Sequence, residues 1–264
     1  MKNIKTLSKL ILLFLISTLS MPTFSQGVAI YKTDGTMVKY SYEEIDSIVT
    51  YNYGEEPSTP THPDTPVTPP AETQYEAVDL GLSVKWAAHN VGATTPEEYG
   101  GYYAWGETEE KDNYDWSTYK WCNGSSDTMT KYCTSSSDGT VDNKTVLDPE
   151  DDVAHVKWGG NWRMPTLEEQ KELLNNCTWT WTTQNGVNGY KVTGPSGNSI
   201  FLPAAGCRNG AGVSYRGSSG YYWSSSHGCG YGSSLAYYLN IYSVGYDFGC
   251  SYRLRGHTVH PVSE

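Results

Sequence analysis

Apolar and polar positions alternate with a period of two through much of this chain, and a helical period surfaces only twice. In LAYYLNIY, Leu235, Tyr237, Leu239 and Ile241 point one way along a strand, while Ala236, Tyr238, Asn240 and Tyr242 point the other. Further strands are predicted at 75–80, 83–87, 102–105, 189–193, 199–202, 221–225 and 256–262. In MPTLEEQKELLNNC, Thr166 and Glu169 have the spacing of a capping box, with Leu167, Leu173 and Leu174 behind them at helical spacing. In LDPEDDVAHVKWGG, Asp148 is the expected cap, Pro149 the first helical residue and Gly159 the stop. Two helices among many short, separated strands predict an α+β domain with long loops.

That domain is expected to span residues 74–264, long enough for one good core. Ahead of it, residues 1–25 have the layout of a secretory leader. Lys2, Lys5 and Lys9 precede the apolar run 11–16, and Thr23 and Ser25 stand before a cut at Gln26. The run is too short to span a bilayer, and no later run is of spanning length. Residues 26–54 predict a small β-rich unit. Val28, Ile30 and Tyr31 lead into an Asp34-Gly35 turn, and Met37, Val38 and Tyr40 resume the strand. A helical turn is expected at 41–46 and another strand at 48–51. Residues 55–73, with six prolines among Ser, Thr and acids, form a semi-rigid spacer. The expected location is the cell surface, the periplasm or the medium.

Charge narrows the partners. The formal charge is −11; removing a leader with three lysines and no acid leaves −14. With no basic run, a phosphate backbone is repelled, so nucleic acid and anionic lipid are poor partners. Six cysteines (122, 133, 177, 207, 229 and 250) suit an oxidising compartment, but their pairing stays open. Cys122 and Cys133 flank a short loop that a bond between them would close. Cys177, at a helix end, is the candidate free thiol. None has zinc spacing.

The segment Gly206–Ser251 holds ten Gly, ten Ser and eight Tyr in 46 residues, with Arg208, Arg216 and Asp247 its only charges. Tyr supplies large, rigid contacts and Gly and Ser adaptable loops, the chemistry of a binding surface. The expected ligand-binding residues are Tyr215, Arg216, Tyr221, Tyr222, Tyr231, Tyr242 and Tyr246. Tyr237 is left out because it shares a face with Leu235 and Leu239. The expected partner is an extracellular glycan or protein. A structural or adhesive envelope component is the alternative.

Other clusters read more plainly. Asp148, Glu150, Asp151 and Asp152 suit the first turn of a helix better than a metal. His257 and His260, three apart in a predicted strand, point to opposite faces. His227 reads as a solvated loop residue. Trp179 and Trp181 share a strand face, for which core packing outweighs sugar stacking. Ser224–Ser226 lacks a nucleophile elbow, and Glu168 and Glu172 read as a solvated helix face. No enzyme, metal or cofactor is expected.

The string GGNWRMPTLEEQKELL, with Trp162, Arg163, Pro165, Thr166 and Glu169, resembles the W-R-[LM]-P-T-x-x-E core of the Fibrobacter succinogenes major paralogous domain family. That family is related to bacterial C-type-lectin-like domains. The segments 78–107, 201–208, 220–226 and 255–262 resemble the same pattern, so the likeness spreads over most of 76–262. A small unit before a proline spacer is similar to exported Bacteroidales proteins. The resemblance implies a C-type-lectin-like fold of two helices, a small antiparallel sheet and an irregular C-terminal half bearing the ligand surface. His257 and His260 depart from the common closing segment. The lectin calcium motifs Glu-Pro-Asn or Gln-Pro-Asp followed by Trp-Asn-Asp are absent. Formylglycine-generating-type oxidases share the fold, but none of their motifs is matched. The fold is expected to rest on 158–174. Trp162 is the expected core anchor, worth roughly 3–5 kcal/mol, its indole N–H reaching a backbone carbonyl.

Overall fold

The structure, a computed structural model, describes residues 27–31, 37–41, 75–230 and 232–264. The chain divides into two compact units, Met1–Val67 and Thr68–Glu264. In the first, β1 (Gly27–Tyr31) and β2 (Met37–Ser41) pair antiparallel, with Gly27 opposite Ser41 and Tyr31 opposite Met37. The leader, the Asp34-Gly35 turn, the elements expected at 41–51 and the proline spacer lie outside the described residues.

The second unit is α+β and sheet-rich. Near its start, β3 (Ala77–Val78) and β4 (Lys85–Ala87) pair with each other, and β4 also pairs with the closing strand β13 (Val262–Ser263). Val262 sits opposite Trp86, so the two ends of the unit meet in one sheet. A second sheet is the meander β5 (Thr178–Gln184), β6 (Val187–Thr193), β7 (Ser199–Pro203). A hairpin follows, β8 (Cys207–Asn209) and β9 (Gly212–Ser214). The third sheet is β10 (Ser219–His227), β11 (Leu235–Tyr242) and β12 (Gly245–Tyr252). Residues 102–105 form no strand; Tyr103 makes one isolated bridge, to His257.

Each helix start follows from its side chains. α2 (Leu167–Asn176) has the expected capping box: Glu169 N–H donates to Thr166 Oγ1 at 3.3 Å, and Thr166 N–H to Glu169 Oε2 at 2.8 Å. Arg163 forks onto the same carboxylate at 2.8 and 2.6 Å, tying the WR motif to the cap. Thr166→Ala is expected to cost about 1 kcal/mol in urea unfolding. The other helix starts later than the sequence suggests. Asp148 heads only a 3-10 turn, Pro149–Asp151, and its side chain caps nothing. Asp152 is the working cap of α1 (Val153–Trp158). Its carboxylate is buried and accepts from the N–H groups of Ala154, His155 and Met164. Gly159, at φ 67°, ends the helix as expected.

The Tyr/Gly/Ser segment is not a set of surface loops; it builds the central sheet. Tyr222, Leu239 and Ile241 project from one face of β10 and β11 into a core with Leu80, Trp86, Leu173 and Val192. Trp223 and Ala236 project from the other face into a core with Trp105, Tyr132, Met164 and Val259. Covering both faces of β10 explains why it is buried along most of its length. Its register breaks between Trp223 and His227, where the three serines lie. Their short side chains let other segments reach this backbone: Ser225 N–H donates to Pro165 O, Leu147 N–H to Ser225 O and the Trp105 indole to Ser224 O.

Trp162 is buried, as expected, but it lies outside the three hydrophobic clusters. It is 9 % exposed, packs edge-on to Trp158 and Tyr75, and its indole N–H has no partner among the described residues. The fully buried tryptophans with bonded indoles are Trp105 and Trp223. Trp179 and Trp181 share a face, as expected, and pack partly buried on Tyr190 against the first core.

Cys229 and Cys250 form a disulfide joining the loop after β10 to β12. Cys122, Cys133, Cys177 and Cys207 are free, so no bond closes the 122–133 loop. Burial pushes the half-buried Cys177 thiol up to about 11. Replacing Cys229 and Cys250 by serine removes a closure across 21 residues. The expected loss is about 3 kcal/mol, read as the gap between the denaturation midpoints of the parent and the double variant.

Candidate functional site

Below the β10–β11 register break, the face of the third sheet that carries Trp223 is only partly covered. Alternation places Tyr221 on β10, Tyr238, Asn240 and Tyr242 on β11, and Asp247 on β12 along it. Tyr238 and Trp223 lie opposite each other, as do Asn240 and Asp247. The Tyr221 and Tyr238 rings lie 5.6 Å apart at 33°, and Tyr215 continues the row 6.2 Å from Tyr221. Tyr238 lies across Gly249, where an added Cβ would fall 2.6 Å from its hydroxyl oxygen. Gly249 is therefore required for the ring's position, and Gly249→Ala is expected to displace it.

Tyr215 is held out by its backbone. It is 61 % exposed and sits at φ 61°, a left-handed conformation uncommon for a bulky residue. Its carbonyl accepts from Ser218 N–H, Ser219 N–H and Ser218 Oγ, which fixes the turn. An aromatic ring presented from a fixed turn loses little entropy on contact. Burial pushes the Tyr221 hydroxyl up to about 12 and raises that of Tyr238. Both therefore remain neutral donors.

The structure separates the expected binding residues. Tyr215, Tyr221 and Tyr242 belong to the open face. Tyr222 does not: it is 2 % exposed, its hydroxyl donates to Pro203 O, and the strand's alternation turns it into the first core. Tyr246 is also on the opposite face, stacked 4.5 Å from Trp179. Arg216 is exposed but turns aside, its guanidinium over Tyr99 at 5.2 Å and donating to the Tyr102 hydroxyl. Tyr231 lies outside the described residues. Sequence reasoning missed Tyr238, Asn240 and Asp247. Alternation along LAYYLNIY already sets the first two beside Tyr242. Tyr237 projects with Leu239, and its hydroxyl donates to Gly228 O.

The remaining polar clusters are structural. Lys131 Nζ sits 2.6 Å from both Asp148 and Asp151, and Tyr132 donates to Asp151 at 2.7 Å, so an ammonium fills the acidic group. Bonds from Lys131 and Lys144 hold the Asp148 carboxyl below its usual range. His227 is not a solvated loop residue. It is buried at the end of β10, its Nε2 2.6 Å from Lys144 O and its ring edge-on to Trp105. His257 and His260 lie in bridged, irregular chain rather than a strand. His257 stacks 4.0 Å from Trp223, and His260 lies 2.7 Å from both Asn90 Oδ1 and Ala87 O.

Burial lowers His260 to about 3 and puts His257 well below its usual value. An unfolded histidine titrates near 6.5. Below that pH the unfolded chain binds protons that the folded chain excludes, so stability present at neutral pH is lost as pH falls from about 6.5 toward 3. The urea midpoint is expected to drop between pH 7 and pH 4.5, and less steeply in His260→Gln. Equal slopes in the two proteins would count against a buried neutral imidazole at 260.

No protein-family model, curated protein or solved structure matches the chain. Among the described residues, no helix is long and apolar enough to cross a membrane.

Proposed function

We propose that this chain is an exported recognition module with a C-type-lectin-like domain, which binds an extracellular glycan or protein through the open tyrosine face of its third sheet. One observation carries the reading: Tyr215, Tyr221 and Tyr238 form a continuous aromatic row that begins at an exposed, backbone-fixed ring. Tyrosines of this kind bury apolar area and keep a hydroxyl for hydrogen bonds. The fold assignment rests on the capped α2 with its Arg163–Glu169 fork, two helices among small antiparallel sheets, and chain ends paired through Val262 and Trp86. Export rests on the lysine-led apolar leader and fits the Cys229–Cys250 disulfide.

The test is a glycan array and a pull-down of cell-surface proteins with the full chain, alongside Tyr215→Ala/Tyr238→Ala. The double variant is expected to lose at least tenfold in affinity for any ligand found. Because Tyr238 packs against the second core, the single variant Tyr215→Ala, at an exposed ring and with its urea midpoint nearly unchanged, separates lost binding from lost stability. Binding that survives in the variant would place the ligand elsewhere. Self-association in gel filtration with no ligand found would favour an envelope component instead.

A further inference from the structure

A sheet edge left unpaired is a template for another chain, and folded proteins guard such edges with short strands, cover, proline or charge. Most edges of the second unit are guarded in these ways. Strands β3 and β13 have two residues each. β7 is buried over Ile200–Pro203 and ends in proline. The outer side of β10 bonds to Thr258, Pro165 and Leu147. On β12, the Asp247 carboxylate accepts from the Phe248 N–H at 2.7 Å. The edge strand β5, TWTWTTQ, has none of these devices. Its seven residues include no charge, proline or glycine, and its register with β6 runs unbroken from Thr178 opposite Thr193 to Gln184 opposite Val187.

The hairpin turn fixes which backbone groups of β5 are free. Asn185 and Gly186 sit at φ 47° and 84°, a two-residue turn that closes on a hydrogen-bonded pair, Gln184 and Val187. Alternation then gives the backbone groups of Thr180 and Thr182 to β6 and turns those of Trp179, Trp181 and Thr183 outward. No backbone group among the described residues meets these three. The side chains alternate as well: Thr178 and Thr180 are exposed, whereas Trp179 and Trp181 are half-buried on the opposite face.

The occupant follows from the sequence of the strand, because TWTWT reads the same in both directions about Thr180. We propose that β5 is the interface with a second copy of this chain, paired antiparallel about a twofold axis at Thr180 so that two three-stranded sheets become one of six strands. A twofold interface requires a surface complementary to itself. In this register Trp179 and the partner's Trp181 exchange N–H···O=C bonds through the groups that face outward. Thr180 meets the partner's Thr180 in the closer, non-hydrogen-bonded kind of pair. Tryptophan thus lies opposite tryptophan on one face and threonine opposite threonine on the other, both favourable cross-strand pairs. A slip of one residue sets outward groups against inward ones, and a slip of two keeps a single Trp–Trp pair. The chain carries a net charge of −11, but no charge stands on β5 to oppose the approach.

The experiment is sedimentation velocity of the full chain over a wide range of concentration, beside Thr180→Lys and Thr180→Glu. The parent is expected to pass from one copy to two. Each variant is expected to dimerise about tenfold more weakly, since the twofold sets two like charges opposite each other. An equimolar mixture of the two variants is expected to regain the dimer. Thr180 is exposed, so both variants should keep the parent's urea midpoint. Amide exchange of the parent gives a second readout that needs no variant: the N–H groups of Trp179 and Trp181 are expected to exchange more slowly as the dimer forms. A parent that stays single at every concentration overturns the proposal. So do charged variants that dimerise as the parent does, a mixture no better than either variant alone, or a dimer that leaves the exchange of Trp179 and Trp181 unchanged. The recognition reading is tested apart from this one, because Tyr215→Ala leaves β5 as it is.

Discussion

Trp223→Ala is expected to unfold this domain or bring it to the edge of unfolding. Trp223 is fully buried, its indole N–H donates to Tyr103 O at 2.8 Å, and its ring stacks on His257 at 4.0 Å. Truncation opens a cavity between the third sheet and the second core and leaves the Tyr103 carbonyl without that partner. Losses of about 3–5 kcal/mol are typical for such a change, against a total stability of about 5–15 kcal/mol. Trp162→Ala, outside the three hydrophobic clusters and without a bonded indole among the described residues, is expected to cost less. Urea denaturation of both variants and of Ser218→Ala, an exposed control within about half a kcal/mol of the parent, gives the order directly. A midpoint for Trp223→Ala equal to that of Trp162→Ala would contradict the placement of the core.

Arg253→Met is expected to cost about as much, by a different mechanism. The Arg253 side chain is wholly buried with no carboxylate beside it among the described residues. Instead its guanidinium donates to Tyr119 Oη at 2.8 Å, Tyr132 O at 3.0 Å, Ser233 O at 2.8 Å and Lys131 O at 3.1 Å. It lies 4.8 Å from the centre of the Trp105 ring. Three backbone carbonyls from two distant loops thus converge on one permanently charged fork. Methionine fills similar volume but satisfies none of them, and each buried orphan acceptor costs about 1–3 kcal/mol. The sum expected is about 3–5 kcal/mol by thermal or urea unfolding. Arg253→Lys is expected to recover little of it, because a point ammonium cannot reach four acceptors set around a planar fork. A lysine variant as stable as the parent would show that the charge alone matters there.

Much of the local structure was legible in the residues. The Thr166–Glu169 box needs only a three-residue spacing, and the structure has it. β11 runs over Leu235–Tyr242, where the alternation sets it. Gly159 stops α1, since a residue without Cβ takes φ 67° at little cost. The expected sides of LAYYLNIY also hold, with Leu239 and Ile241 in one core and Ala236 and Tyr238 toward the other.

The sequence by itself determined the α+β class, the α2 cap, most strands of the second and third sheets, and a concentration of Tyr, Gly and Ser near the C-terminus. These rest on periods and spacings within ten residues or so. Only the tertiary structure decided which tyrosines face outward. Tyr221 and Tyr222 are neighbours of one type, yet one lies in the open row and the other is sealed in the core, because both faces of the sheet have cores to fill. Tertiary structure also decided that Cys229 meets Cys250, that Asp152 rather than Asp148 caps α1, and that Arg253 gathers loops more than a hundred residues away. Each of these depends on distant segments arriving at one place, which no local pattern encodes. The same physics put Trp223 at the centre of a hydrophobic cluster and left the buried Trp162 outside all three: burial is conferred by what packs on top, and β10 has cover on both faces.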